Sequence, residues 1–337
     1  MHSFKKIACC LSIALILLSS CKKNDDSNTS PSTSTNGYNG TGSVTQGLAN
    51  TTNSNLFAQG QRVAGVGTIT STDNTAWTVP ANVNYTDASF PTASDLYNPY
   101  GNKYNTSTEA VNALTGTSDI IEIDANGEIV TGFIFADNYF ELYINGVKVG
   151  KDAVPFTEFN SHIVRFKVSK PYTIAMKLVD WEENLGIGTE KQAIDHHPGD
   201  GGMIAVFKNA NNQIEAITDA SWKAQTFYTT PILDLSCLSE DGQQRVSTNC
   251  SEPTASTTAS AVYAVHWTIP TDWAAKGYDD TAWPAATTYT AAAIGMDNKV
   301  PYTNFSDVFD DATQNAQFIW STNIVLDNVV IVRKTVE

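Results

Sequence analysis

The sequence predicts an all-β fold, an antiparallel β-sandwich of the jelly-roll type with long loops. Short segments alternate between apolar and polar residues, which is the two-residue period of half-buried strands. Turn signals separate these segments, and scarcely any stretch has the helical period. The 337 residues are enough for one large β domain or two smaller ones.

The strongest predicted element is a β-hairpin within residues 130–151. Apolar side chains occupy every second position of residues 139–144. Asn145 and Gly146 then separate this run from a second alternating run, residues 147–149. Both residues tolerate positive φ, so Asn-Gly between two apolar runs predicts a tight hairpin turn.

Further strands are predicted on both sides of this hairpin. Pro171 marks the turn between two of them, because proline cannot donate to a strand ladder. The predicted strands are residues 120–124, 162–168, 172–180, 202–207 and 214–217. Their spacing is typical of an antiparallel sandwich.

The N-terminal residues 1–20 are predicted to be a bacterial lipoprotein signal peptide. Lys5 and Lys6 precede an apolar run, residues 7–18, that is too short to span a membrane comfortably. Residues 18–21 (Leu-Ser-Ser-Cys) resemble a lipobox, which implies acylation of Cys21, for example by palmitate. Several acyl chains would anchor the protein to the cell envelope.

An acidic pair follows the predicted acylation site. Asp25 and Asp26 resemble the export signals of surface lipoproteins in the Bacteroidetes, which implies an outer-membrane, surface-exposed location. The alternative for the N-terminus is an ordinary signal peptide with incidental cysteines.

The remaining chain is predicted to comprise three parts. Residues 21–55, rich in Ser, Thr and Asn, are predicted to be a flexible tether. Residues 56–119 are predicted to be a turn-rich segment packed on the sandwich, with short strands near residues 63–69 and 77–79 and a helical turn or two at 108–114. Residues 120–337 are predicted to form the sandwich itself.

Four sequence blocks resemble galactose-binding-like jelly-roll modules, which are often appended to bacterial glycoside hydrolases and surface proteins. The blocks are residues 136–146, 218–223 (Thr-Asp-Ala-Ser-Trp-Lys), 273–284 and 317–321 (Gln-Phe-Ile-Trp-Ser). The resemblance implies the fold more than a function. We assign Trp222, Trp283 and Trp320 to the core. Two stretches depart from the family pattern by being longer, residues 180–202 and 231–262.

Charge and cysteine content restrict the partners and the compartment. The net charge of −15 becomes −17 when Lys5 and Lys6 leave with the signal peptide, which argues against nucleic acid as a partner. Neutral glycans and Ca²⁺ remain compatible with this charge. Cys237 and Cys250 form an even pair outside the signal peptide and acylation site, and we expect a disulfide between them.

Aromatic side chains on loops beside polar groups are candidates for sugar binding, because sugar CH faces stack on rings while hydroxyls bind planar polar groups. The leading candidate is Trp181, beside Glu182 and Glu183. Tyr97, Tyr100 and Tyr104 are further candidates.

A second group of candidate ligand-binding residues is His196, His197 and Asp200. Adjacent histidines of an extended chain point to opposite sides, and no zinc-binding spacing is present, which disfavours a transition metal. We expect that no cofactor is required. A structural Ca²⁺ held by Asp137, Glu182 and Asp200 is left open, since Ca²⁺ prefers oxygen ligands.

The function predicted from the sequence is non-catalytic binding of a carbohydrate or another extracellular polymer. A structural or adhesion module that binds protein partners is the alternative. A glycan-active hydrolase is less favoured, because neighbouring glutamates on a strand diverge, whereas the two catalytic carboxyls of a glycosidase face each other.

Overall fold

The computed structural model describes residues 37–60, 63–114, 119–156, 159–182, 199–253 and 257–337. These residues lie in one compact unit, residues 35–337. The described chain is mostly β, with several antiparallel sheets. None of its helices is long and apolar enough to cross a membrane.

Twenty strands occur in the described residues. In chain order they are β1 (Ser43–Gln46), β2 (Asn50–Asn53), β3 (Val66–Thr70), β4 (Ala76–Val79), β5 (Ser94–Tyr97), β6 (Ile120–Glu122), β7 (Glu128–Asp137), β8 (Tyr139–Ile144), β9 (Val147–Lys151), β10 (Ser161–Val168), β11 (Tyr172–Val179), β12 (Gly202–Asn209), β13 (Ile214–Ile217), β14 (Lys223–Ile232), β15 (Ser239–Asp241), β16 (Gln244–Val246), β17 (Tyr263–His266), β18 (Thr287–Tyr289), β19 (Phe318–Trp320) and β20 (Asp327–Val336).

Helices are few and short in the described residues. The α-helices are α1 (Ser107–Ala113), α2 (Val300–Thr303) and α3 (Ser306–Phe309). Two 3₁₀ helices cover Leu235–Cys237 and Ala259–Ala261. Thr106 caps the N-terminus of α1 by accepting a hydrogen bond from the Glu109 backbone N–H, as N-cap threonines commonly do.

Two large sheets contain most of the strands. One has seven strands in the order β1-β17-β14-β20-β11-β8-β9. The other has eight, with the path β18-β19-β12-β7-β10-β5, β13 beside β12 and β6 beside β10. The β6–β10 pair is parallel, and the other pairs of both sheets are antiparallel. A three-stranded sheet, β2-β3-β4, and the β15–β16 hairpin complete the set.

The predicted central hairpin is confirmed as β8 and β9. Ile144 pairs with Val147 across the turn. Asn145 and Gly146 have φ angles of 51° and 84°, the region that a two-residue hairpin turn requires and that these residues tolerate. The neighbouring prediction of two strands joined at Pro171 is also confirmed, by β10 and β11.

Both large sheets contribute buried side chains to one apolar cluster. Phe140, Leu142 and Ile144 of β8 belong to it, together with residues of β7, β10 and β12 from the other sheet. Trp222 and Trp320 also lie in this shared cluster and are fully buried. Burial of this much apolar surface is the main favourable term for the fold.

The opposite face of each large sheet is covered as well. Tyr139 of β8 lies in a second cluster with residues of the N-terminal segment, such as Val44 and Val79, and with Trp283. A third cluster, which we call the helical-side cluster, joins the eight-stranded sheet to α1, α2 and α3. The predicted core positions of Trp222, Trp283 and Trp320 are therefore confirmed.

The structure differs from the predicted tether, residues 21–55, over its second half. Residues 43–46 form β1, which pairs with β17 at the edge of the seven-stranded sheet, and residues 50–53 form β2. Val44 is buried there. β1 is a largely polar strand, and its order comes from β17, more than 200 residues away, which composition alone does not reveal. Residues 21–36 lie outside the described residues.

Candidate functional site

Trp181, the leading predicted sugar platform, lies in the core. Its side chain is fully buried at 0% exposure, just after β11. Its ring packs edge-on against Tyr139, with 5.8 Å between ring centroids. A stacking platform needs a ring face open to the ligand, so the prediction for Trp181 is wrong.

The predicted calcium ligands do not converge. Asp137 at the end of β7 and Glu182 are buried, whereas Asp200 is exposed. Glu182 accepts a hydrogen bond from the Gly199 backbone N–H. Within the described residues, no three His, Cys, Asp or Glu side chains are close enough together to hold a metal ion. The set Asp137, Glu182 and Asp200 is therefore not a calcium site in this structure.

Several other predicted positions lie outside the described residues. These are the predicted acylation site and three of the candidate ligand-binding residues: Cys21, Glu183, His196 and His197.

The predicted disulfide between Cys237 and Cys250 is confirmed. It closes the segment that contains the β15–β16 hairpin. Glu240 of this hairpin accepts hydrogen bonds from the Tyr38 hydroxyl and from Trp267 Nε1, at 2.5 and 3.1 Å. The guanidinium of Arg245 lies over the Trp267 ring at 4.6 Å. This disulfide-closed segment is thereby fixed to the first described residues and to the chain after β17.

A different tryptophan has the exposure that a sugar platform needs. All seven tryptophans lie in the described part of the chain, and six of them are buried. Trp77 on β4 is the exception and is half-buried. It alternates along β4 with exposed Ala76 and Thr78 and is displayed by the small β2-β3-β4 sheet.

Trp77 lines a cleft of about 250 Å³, which we call the Trp77 cleft. Phe227, Tyr228 and Trp267 supply further aromatic walls, and all three are buried. Exposed polar side chains at the cleft are Thr78, Asn82 and Thr268. Apolar and aromatic walls with a few polar groups are typical of small-molecule sites.

The rings of Trp77 and Tyr228 both stack on the imidazole of His266. The centroid distances to His266 are 5.0 Å for Trp77 and 4.6 Å for Tyr228. His266 Nε2 lies 2.8 Å from the Thr45 hydroxyl oxygen. Burial lowers the pKa of His266 to about 3, so this imidazole is uncharged near neutral pH and the stack carries no net charge.

Hydrogen bonds fix the orientation of the Trp77 ring. Trp77 Nε1 donates to the Ser71 hydroxyl at 3.0 Å, and that hydroxyl donates to Asp73 at 2.5 Å. Asp73 also accepts from the Ser43 hydroxyl and the Thr75 backbone N–H. These bonds lower the pKa of Asp73 well below its usual range, so it stays ionised. A ring held by such contacts is preorganised for binding.

A buried ion pair anchors the edge of the cleft near Asn82. Lys177 Nζ donates to the Asn82 carbonyl at 2.9 Å and pairs with Glu141 at 2.9 Å. Glu141 is fully buried and also accepts from the Asn84 backbone N–H. Residues 82–84 are thus tied to β8 and β11 of the large sheet. Removal of either partner would leave the other charge uncompensated.

The sequence predicts that Trp77 lies on a strand, although this does not identify it as a binding residue. Trp77 falls within the predicted short strand at residues 77–79, followed by Pro80. A period-two pattern shows that Trp77 and Thr78 face opposite ways but not which face is covered. The covering residues come from β14 and β17, far along the chain.

The chain was compared with protein-family models, curated proteins and solved structures, and no match was found in any of the three comparisons.

Proposed function

We propose that this protein binds a carbohydrate without catalysing its conversion, and that the Trp77 cleft is the binding site. The observation that carries the proposal is the partly exposed Trp77 side chain, held by a hydrogen bond to Ser71 and stacked on an uncharged imidazole. An indole in this state can stack against the CH face of a sugar. Thr78, Asn82 and Thr268 offer hydroxyl and amide partners for sugar hydroxyls.

The size of the cleft favours a single sugar residue. At about 250 Å³ it is somewhat smaller than the roughly 300–1,000 Å³ of typical ligand pockets. We infer that it holds one terminal or protruding residue of a larger glycan.

Binding without catalysis is favoured by the composition of the cleft. No Asp or Glu side chain lines it within the described residues. Glycoside hydrolysis generally uses two facing carboxyl groups about 5–10 Å apart. We therefore favour a binding module over a hydrolase at this site.

For the architecture, we propose that the two large sheets form a β-sandwich of the galactose-binding-like jelly-roll type. The apolar cluster shared by β7, β8, β10, β11 and β12 supports face-to-face packing. The four resembling sequence blocks support the family. We also propose a lipid anchor at Cys21 and a cell-surface location, on the basis of the lipobox-like residues 18–21.

The proposal predicts that Trp77→Ala loses glycan binding. The purified protein and the variant are screened on a glycan array, and the affinity for each hit is then measured by calorimetry. Loss of a stacking indole should weaken binding at least tenfold, about 1.4 kcal/mol. The matched control is Phe159→Ala, another half-buried aromatic residue, which packs beside the helical-side cluster.

The result that contradicts the site is a specific glycan hit whose affinity is the same in Trp77→Ala. The absence of any glycan hit at high protein concentration would contradict the function itself. The search would then move to protein partners, as expected for a structural or adhesion module.

A further inference from the structure

A second cleft, of about 340 Å³, is lined by β7, β10 and β13 of the eight-stranded sheet and by the start of β11 of the seven-stranded sheet. We call it the Tyr172 cleft. Its volume falls within the range of small-molecule sites. Val130 and Val168 give it a buried apolar wall, and Tyr172, the first residue of β11, also lines it. Its polar lining side chains are Asn126, Glu128, Ser169, Lys170 and Glu215.

The hydroxyl of Tyr172 is buried and has no hydrogen-bond partner among the residues that the structure describes. Only 1% of the residue is exposed. Burial, together with the nearby charge of Glu215, raises the pKa of Tyr172, so the hydroxyl keeps its proton and remains a donor. Buried polar groups usually have partners. A buried donor without an acceptor, on a residue that lines a cleft, therefore indicates an acceptor on a ligand in that cleft.

The core holds the Tyr172 ring in place. The ring packs edge-on against Phe166, with 6.1 Å between ring centroids, and it belongs to the apolar cluster that both large sheets share. Because packing fixes the ring, the hydroxyl cannot turn outwards to find water in bulk solvent. A donor held in this way is preorganised for a ligand.

Glu215 of β13 supplies an acceptor in the same cleft. Its side chain is 6% exposed, and its Oε2 lies 2.7 Å from Lys170 Nζ. Its Oε1 accepts a hydrogen bond from Asn209 Nδ2 at 3.1 Å. A carboxylate offers about four acceptor positions, so these two contacts leave capacity for a hydroxyl of a ligand.

We propose that the Tyr172 cleft binds a neutral sugar residue. One sugar hydroxyl would accept a hydrogen bond from Tyr172 and donate one to Glu215. A carboxylate on a ligand can only accept and an ammonium can only donate, whereas a hydroxyl does both. Val130 and Val168 would contact the CH groups of the sugar. The exposed carboxylate of Glu128 also lines the cleft, which disfavours an anionic ligand.

This site is separate from the Trp77 cleft. Val329 lines the Trp77 cleft and pairs with Val179, the last residue of β11, whereas Tyr172 pairs with Val336. The two clefts therefore lie towards opposite ends of β11, roughly 20 Å apart along the strand. The proposal goes beyond the proposed function, because it adds a second site that does not depend on the first.

The test follows the tyrosine ring signals of the labelled full protein by NMR, with Tyr172 assigned from the spectrum of Tyr172→Phe. The probes are glucose, galactose, mannose, N-acetylglucosamine and glucuronate. We expect a saturable shift of the Tyr172 signal with at least one of the neutral sugars, in the protein and equally in Trp77→Ala. The result in Trp77→Ala separates this proposal from the proposed function. Glucuronate, which carries a carboxylate, should bind at least about tenfold more weakly.

Variants made in the Trp77→Ala background assign the binding to this cleft, and calorimetry measures their affinities. Tyr172→Phe keeps the ring in the core and removes only the hydroxyl, so the affinity should fall roughly five- to tenfold. Glu215→Gln keeps the side-chain shape and removes a charged acceptor, which should weaken binding at least about tenfold. Tyr302→Phe is the matched control, because it removes the hydroxyl of a buried tyrosine in the helical-side cluster. Thermal unfolding of each variant checks that it is folded.

Three results would overturn the proposal. One is that none of the neutral sugars shifts the Tyr172 signal saturably, as expected if the cleft holds only water. Another is that glucuronate binds as tightly as the neutral sugars. The third is sugar binding that Tyr172→Phe and Glu215→Gln weaken no more than Tyr302→Phe does.

Discussion

At the scale of single residues, the environment of a ring decides its role. Trp181 lies just after β11, and Trp77 lies within β4. Trp181 is enclosed by the core, whereas Trp77 keeps part of its ring open and is oriented by Ser71. The prediction that Trp181 is a stacking platform was therefore wrong, because burial depends on partners that are distant in sequence.

His266 gives a pH-dependent prediction at the same scale. Its pKa is about 3 in the folded protein and about 6.5 in an unfolded chain. Between these values the unfolded state binds more protons than the folded state. The contribution of His266 to stability is therefore fully present above about pH 6.5 and is lost as the pH falls towards 3.

The measurement is the free energy of unfolding by denaturant from pH 7 to pH 3, for the protein and for His266→Phe. The variant keeps an aromatic ring but cannot titrate, so its stability should fall less steeply with acidification. Other titrating groups are common to both proteins and cancel in the difference. Parallel curves for the two proteins would contradict the assignment of a buried, uncharged imidazole.

At the scale of elements, local signals were reliable where the structure depends on neighbours in sequence. The β8–β9 hairpin was predicted from Asn145 and Gly146, whose positive φ the turn requires. Predictions failed where an element depends on a distant partner. β1 is a polar strand inside the predicted tether, and its pairing with β17 fixes it. The composition of a segment shows how polar it is on average but not which strand it pairs with.

The disulfide segment gives a prediction at the element scale. Cys237 and Cys250 are 13 residues apart in sequence. Cross-linking a loop of this length limits the unfolded chain and should stabilise the fold by about 3 kcal/mol. The double variant Cys237→Ser, Cys250→Ser should lose about this free energy of unfolding in urea. The reduced native protein is the matched comparison, and it should resemble the double variant.

The contacts of residues 237–250 explain why loss of the disulfide does not necessarily unfold the protein. Ser247 donates to the buried carboxylate of Asp327 at 3.0 Å, beside the Thr229 and Ser321 hydroxyls at 2.8 and 2.6 Å. The Ser247 bond holds the segment on β20 without the disulfide. A double variant with unchanged stability would contradict the assigned role of the cross-link.

At the scale of the whole molecule, both large sheets are covered on their outer faces. The open faces that a simple two-sheet protein could offer to a ligand are thereby removed. The Trp77 cleft lies between the β2-β3-β4 sheet and the seven-stranded sheet. The net charge of −15 fits uncharged or cationic ligands.

The sequence predicted the mostly β class because alternation and turn signals recur along the chain. It could not predict the covering layers, whose strands are short and whose partners are far apart. Trp222, Trp283 and Trp320 were assigned to the core, and their burial agrees. The Trp77 cleft arises from packing between segments that are far apart in the chain, so its lining residues were not identifiable from the sequence alone.

The proposed carbohydrate site is tested most directly with the indole N–H signals of all seven tryptophans in a two-dimensional NMR spectrum, assigned by single substitutions. A glycan found on the array is titrated into the labelled protein. We predict a saturable shift of the Trp77 signal, with much smaller shifts for the buried tryptophans other than Trp267, which also lines the cleft. Saturable binding that leaves the Trp77 signal unmoved would contradict the proposal that this cleft is the carbohydrate site.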